Sequence, residues 1–120
     1  MTDHEELRHI EITDGERTVA TADVVAADES AATVRASLHT ESGPIPPGTQ
    51  ASLVDAVLDL SEVKQSERVQ VAVPRGDVES LLRLQQRCAE VATRTAGVTA
   101  FVEAEPPESA RREQAGNSAE

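Results

Sequence analysis

The sequence predicts an α+β domain with a mixed sheet in the order β-β-β-α-β-α-β, and three observations lead to it. From Leu7 to Leu38 apolar and polar residues alternate with period two between turn residues, the pattern of antiparallel strands with one buried face. From Thr49 the apolar residues recur with the period of a helix. The alternating valines of "RVQVAV" then stand between two helical stretches, so the strand before the first helix and the strand after it pair in parallel through a crossover.

In the first strand Arg8, Ile10 and Ile12 alternate with His9 and Glu11. Asp14-Gly15 offers the positive-φ residues of a two-residue hairpin turn, and "RTVATADVV" continues as the second strand. A second reversal at Ala27 to Ser30 leads into "ATVRASLHT", with Val34, Ala36 and Leu38 on one face and Arg35, Ser37 and His39 on the other. Pro44, Pro46, Pro47 and Gly48 end this strand, and Thr49 is placed to cap a helix. Leu53, Val54, Val57, Leu58 and Leu60 form its apolar stripe, with Asp55 and Asp59 on the wet face. "SEVKQSE" reads as a polar connector and "RVQVAV" as a strand with Val69, Val71 and Val73 on one side. Asp77 caps a long second helix with a seam of Leu81, Leu84, Cys88, Val91 and Thr95, and Gly97 is its left-handed stop. Val98 to Ala104 is the last strand. Residues 1–6 read as a flexible end and 105–120 as a disordered tail, since neither has apolar periodicity to bury, which leaves 7–104 as a single domain.

A chain of 120 residues can bury a core without metal or disulfide staples. Phe101 is its sole aromatic residue, so neither a base-stacking platform nor an aromatic cage can be built. The net charge of −11 argues against a nucleic-acid or anionic-membrane partner, both of which are held by clustered cations. Cys88 is alone, and neither a signal-peptide pattern nor an apolar run of ~18 residues occurs, so a reducing cytoplasm is the expected location. Its place on the apolar stripe makes Cys88 an inert core thiol.

No G-x-S-x-G, paired-cysteine or Walker signature is present. His4, His9 and His39 lack the spacing of a metal site. The strand end "HTE" holds the best acid–base pair, His39 and Glu41, because it leads into the loop before the first helix. That loop, "PIPPGTQA", feeds a helix N-terminus, whose unpaired N–H groups can receive an anion.

With this order and this turn, the chain resembles a shortened member of the GNAT-type N-acetyltransferase superfamily. The family's loop carries a Q/R-x-x-G-x-G/A signature whose backbone N–H groups hold the pyrophosphate of acetyl-CoA. Aligning "LVDAVL" with the start of the family's helix puts Ile45 at the Gln/Arg position, Gly48 at the first glycine and Gln50 where glycine or alanine belongs. The stretch "VQVAVPRGDVESLLRLQQRC" resembles the family's crossover strand and next helix. If acetyl-CoA binds, the resemblance implies Gly48, Thr49, Gln50 and Ala51 as its backbone contacts.

The departures from that signature bear on chemistry. Pro46 and Pro47 have no N–H, Ile45 has no side-chain donor, Gln50 adds bulk where backbone must come close, and without tyrosine the family's usual Tyr acid cannot exist. The family's first strand and first helices have no counterpart. The expected role is therefore a non-catalytic binding or interaction module on a degenerate fold, without cofactor, acting on a protein partner or by self-association. One alternative is a minimal acetyl-CoA-dependent N-acetyltransferase with a cationic acceptor. Another is a regulatory partner protein that uses its acidic tail.

Overall fold

Asp14 pairs with Arg17, so the first hairpin turns on Gly15 and Glu16, one residue later than Asp14-Gly15. Only the first of these two has positive φ, at 68°, which is the type II′ pattern and accounts for glycine there. The computed structural model describes residues 6–26, 32–41 and 43–107. The second reversal at 27–30, the N-terminal residues 1–5 with His4, and the tail from 108 onward lie outside them.

The hairpin joins β1 (Glu6–Asp14) to β2 (Arg17–Ala26). Then follow β3 (Thr33–Thr40), α1 (Thr49–Leu58), α2 (Ser61–Gln65), β4 (Arg68–Pro74), α3 (Val78–Arg87), β5 (Ala89–Ala96) and β6 (Thr99–Glu105). The six strands form one sheet in the order β1-β2-β3-β4-β6-β5. Only β3 and β4 are parallel, as the helical crossover requires. The α+β class and the mixed sheet are those read from the sequence, with two elements added.

One addition is α2, a single short helix inside the polar connector, held by the buried Val63. The other is β5, which replaces the second half of the long helix. α3 ends at Arg87, Cys88 is already extended, and Val91 and Thr95 belong to a strand paired with β6. Gly97 is accordingly no helix stop. With Val98 it forms the β5–β6 turn at φ 61°, a second hairpin with glycine first and positive. β6 also runs on to Glu105, and Pro106 after it is buried, so the ordered domain passes the expected boundary at 104.

Alternation divides the sheet into two faces. Ala20, Ala22 and Val24, Val34, Ala36 and Leu38, Val69, Val71 and Val73, and Ala100, Val102 and Ala104 are buried on one face. Leu53, Val54, Val57 and Leu58 of α1, with Leu84 of α3, close over them. Burying such side chains contributes about 1.5–3 kcal/mol each against leaving them exposed, which makes this layer the main source of stability. The other face carries the residues between: Thr21 and Asp23, Arg35, Ser37 and His39, Gln70 and Ala72, Phe101 and Glu103. The two edge strands are irregular, with an extra residue between Glu6 and Arg8 in β1 and between Ala89 and Ala92 in β5; a third shift, opposite Ile12 and Thr13, puts its extra residue, Val19, in β2. Glu90, inside the β5 shift, is the one non-glycine with positive φ among the described residues, at 54°.

Candidate functional site

The parallel pair is incomplete at one end. β3 and β4 are in register from Thr33 opposite Arg68 to Ser37 opposite Ala72, after which Leu38–Thr40 and Val73–Pro74 no longer pair with each other and keep only their outer neighbours β2 and β6. A cleft of about 410 Å³ opens at this fork, walled by Ser37, Leu38 and His39 on one side, Ala72 to Pro74 on the other, and Thr99 and Phe101 beyond. Both long helices begin at the same end of the sheet, because each follows a strand that ends there.

The start of α1 is built differently from the sequence expectation. The N-cap is Gly48, left-handed at φ 85°, and it has no side chain with which to cap. Thr49 is the first helical residue and is buried; its hydroxyl donates back to the Pro46 carbonyl at 2.7 Å, and its N–H donates there at 3.2 Å. The missing cap comes from another helix. Glu79, in the first turn of α3, accepts the Ala51 N–H on Oε2 at 2.9 Å. This is the bond that an N-cap side chain would ordinarily make to the third helical residue. The carboxylate also lies at the positive end of the α1 dipole. α3 caps itself: Asp77 accepts the Ser80 N–H at 3.1 Å and the Ser80 hydroxyl at 2.7 Å.

Of the acid–base candidates, His39 lines the cleft from the open face of the sheet, and Glu41 lies just past the strand end, where its N–H donates to the Val19 carbonyl at 2.9 Å. Among the described residues, neither side chain makes a hydrogen bond. His9 shares the open face with His39 but has its own partners: Nδ1 lies 2.6 Å from Asp23 Oδ1 and Nε2 lies 3.3 Å from Glu11 Oε2. The hydrogen bond to Asp23, and then that to Glu11, raise its pKa above the usual 6.5. Gly48, Thr49, Gln50 and Ala51 form one turn at the mouth of α1, with two of their N–H groups committed as described.

Asp55 does not face water as its helical position suggested. It is turned to α3, where Arg83 grips both oxygens at 2.8 and 2.9 Å and Arg87 adds a third bond at 2.9 Å. The Arg83 hydrogen bond leads in holding its carboxyl below the ordinary 3.8. Asp59, further out, takes Arg87 at 3.4 Å. The Cys88 thiol, packed at the edge of the core, is pushed up to about 11 by burial and remains protonated. Glu79 escaped the sequence reading altogether, since an acidic residue in a helix's first turn already has a local explanation in its own dipole.

No family model and no curated protein matches the sequence. Solved structures do resemble the fold. It is similar to an acetyltransferase of the GNAT family from Streptococcus pneumoniae, with a TM-score of 0.59 and 8% identity over 87% of this chain and 68% of that one. It is similar to an N-acetyltransferase from Staphylococcus aureus Mu50, with a TM-score of 0.57 and 10% identity over 81% of this chain and 65% of that one. A putative acetyltransferase from Salmonella typhimurium, solved with its cofactor acetyl-CoA, gives a TM-score of 0.57 and 8% identity over 80% of this chain and 61% of that one. This chain thus spans 61% to 68% of the length of the three. At such identities the likeness is one of fold and does not carry chemistry with it.

Proposed function

We propose that this chain, which has the GNAT-type N-acetyltransferase fold, is a non-catalytic binding module in which the cofactor loop has become a structural helix start. The observation that carries this reading is the Glu79 carboxylate on the Ala51 N–H. A pyrophosphate at that helix start would meet a carboxylate at the N–H it needs, a like-charge contact in a place that otherwise favours anions. The rest of the loop agrees. Pro46 and Pro47 offer no donor, Ile45 supplies no cation, and the Thr49 N–H is spent on Pro46. The residues present do not fit the phosphate group.

A second reading, a minimal acetyltransferase for a cationic acceptor, is favoured by the fork between β3 and β4, with its cleft and with His39 on the wall. Coenzyme A titration separates the two. At 1 mM the non-catalytic reading expects no change in melting temperature, whereas a ligand at 100 times its dissociation constant stabilises by about 2.7 kcal/mol. Micromolar binding, with chemical-shift changes centred on Gly48 to Ser52, would put the acetyltransferase first.

A further inference from the structure

The open face of the sheet carries a cross-strand row that spans all six strands. His9 is opposite Asp23, Asp23 opposite Ser37, Ser37 opposite Ala72, Ala72 opposite Phe101, and Phe101 opposite Arg94. The row is divided by charge and by size. At its β1–β2 end the carboxylates of Asp23, in the row, and Glu11, in the neighbouring one, flank the His9 imidazole. Its centre, Ser37 and Ala72, is small. Its β6–β5 end holds Phe101, 39% exposed, with the Arg94 guanidinium carbon 5.6 Å from the ring centroid. Among the described residues, neither Arg94 nor Arg35, in the neighbouring row, has a carboxylate partner. Arg35 donates only to Gln70 Oε1, at 3.3 Å. In a chain of net charge −11, cations without carboxylates on a sheet face are a feature to be accounted for.

We propose that this face is the interface of a two-fold homodimer, packed sheet on sheet about an axis that runs along the strands between β3 and β4. Rotation about such an axis sets β1 over β5, β2 over β6 and β3 over β4 of the second copy. With strands about 4.8 Å apart, β2 and β6 each lie about 7 Å from the axis, and β1 and β5 about 12 Å. Arg94 of the second copy then stands over the His9 position, within reach of Asp23 and Glu11, while Phe101 lies over Asp23 and its neighbours. Ser37 meets Ala72 at the centre, where small side chains let the sheets approach, and Arg35 meets Gln70. Stacked sheets lie about 10 Å apart and turn by about 30°, within the span of an arginine and an aspartate side chain. The carboxylates at the β1–β2 end of each copy face Arg94 of the other, while Glu103 on the same face is already paired with Arg68 at 3.1 Å, and the contact is made twice because the axis is two-fold.

This inference goes beyond the loss of the cofactor site and does not depend on it, since coenzyme A binding reads one and sedimentation the other. The test uses the full chain with Asp23→Arg and, separately, Arg94→Asp. Both positions are exposed, and circular dichroism checks that each variant is folded. The wild-type chain should sediment as a dimer at tens of micromolar. Each variant alone faces like charges and should associate at least about tenfold more weakly. Mixed in equal amounts the two variants should form a heterodimer, because one copy then carries arginine at both positions and the other carries aspartate at both. A wild-type chain that stays monomeric to about 200 µM, variants that dimerise as well as wild type, or a mixture that does not recover association would each overturn the proposal.

Discussion

Replacing Glu79 by alanine tests the helix start most directly. The side chain accepts the third N–H of α1, whose own N-cap is a glycine without a capping atom. Its removal takes away a charge-assisted cap at the positive end of α1 and an acidic residue from the first turn of α3. Caps are worth about 1 kcal/mol, and the dipole contribution adds about 0.3–1 kcal/mol, so the variant should lose roughly 1–2 kcal/mol. In a domain of this size each kcal/mol lowers the melting temperature by about 4–8 °C. Glu79→Gln keeps an acceptor and loses only the charge, and should fall at the small end of the range. The second readout is anion binding. With the carboxylate gone, pyrophosphate should move the Ala51 amide resonance in the variant, and at ten times its dissociation constant it would return about 1.4 kcal/mol. A variant as stable as wild type, or an Ala51 resonance indifferent both to the substitution and to pyrophosphate, would refute the reasoning.

Three other outcomes follow from the geometry. Asp55→Asn should cost about 1 kcal/mol, since the Arg83 and Arg87 bonds are only partly shielded, with the Asp55 side chain 31% exposed. Because its folded pKa is depressed, the wild-type contribution is present above the unfolded value near 3.8 and is lost as pH falls through the lower folded value; acid titration of stability should show this loss in wild type and not in the variant. His9 should titrate by NMR with a midpoint above 6.5, and Asp23→Asn should bring it down. Its contribution is present below the unfolded pKa and disappears as pH rises through the raised one, so an unchanged midpoint in the variant would show that Asp23 is not its partner. Gly97→Ala should destabilise by about 1 kcal/mol by thermal melting, because φ 61° strains an L side chain although a Cβ there would meet nothing within 4 Å. A neutral result would mean that the β5–β6 turn can rearrange.

The strands up to Thr40 and the parallel crossover were legible because period-two alternation and the start of the α1 stripe are each unambiguous. The helix seam was not. Leu84, Cys88 and Val91 step as a helix does, and Val91 to Thr95 is a four-residue step that suits a helix face and a strand face equally. What decided it was tertiary: Gly97 turns the chain so that β5 can pair with β6, and Thr93 between Val91 and Thr95 makes the stretch β-branched at every second residue. The position of His39 at the fork followed from strand parity. The Glu79 contact did not, because it depends on how α1 and α3 lie together, 28 residues apart in sequence. Asp55 was misread for the same reason: a polar residue opposite an apolar stripe faces water only if no second helix arrives with arginines.

The irregular edges of the sheet bear on how copies of this chain avoid one another. A flat, regular edge strand is a template on which further strands can add without limit, and the product is a fibre. Here β1 carries an extra residue at Leu7, between the Glu6–Val25 and Arg8–Val24 pairs, and β5 is broken by the left-handed Glu90. Each shift leaves an extra residue out of the ladder and bends the strand, so an incoming strand would lose pairing after a few residues. Open-ended growth is hindered at both margins of the sheet, and whatever assembly the chain makes is directed to surfaces where it can stop.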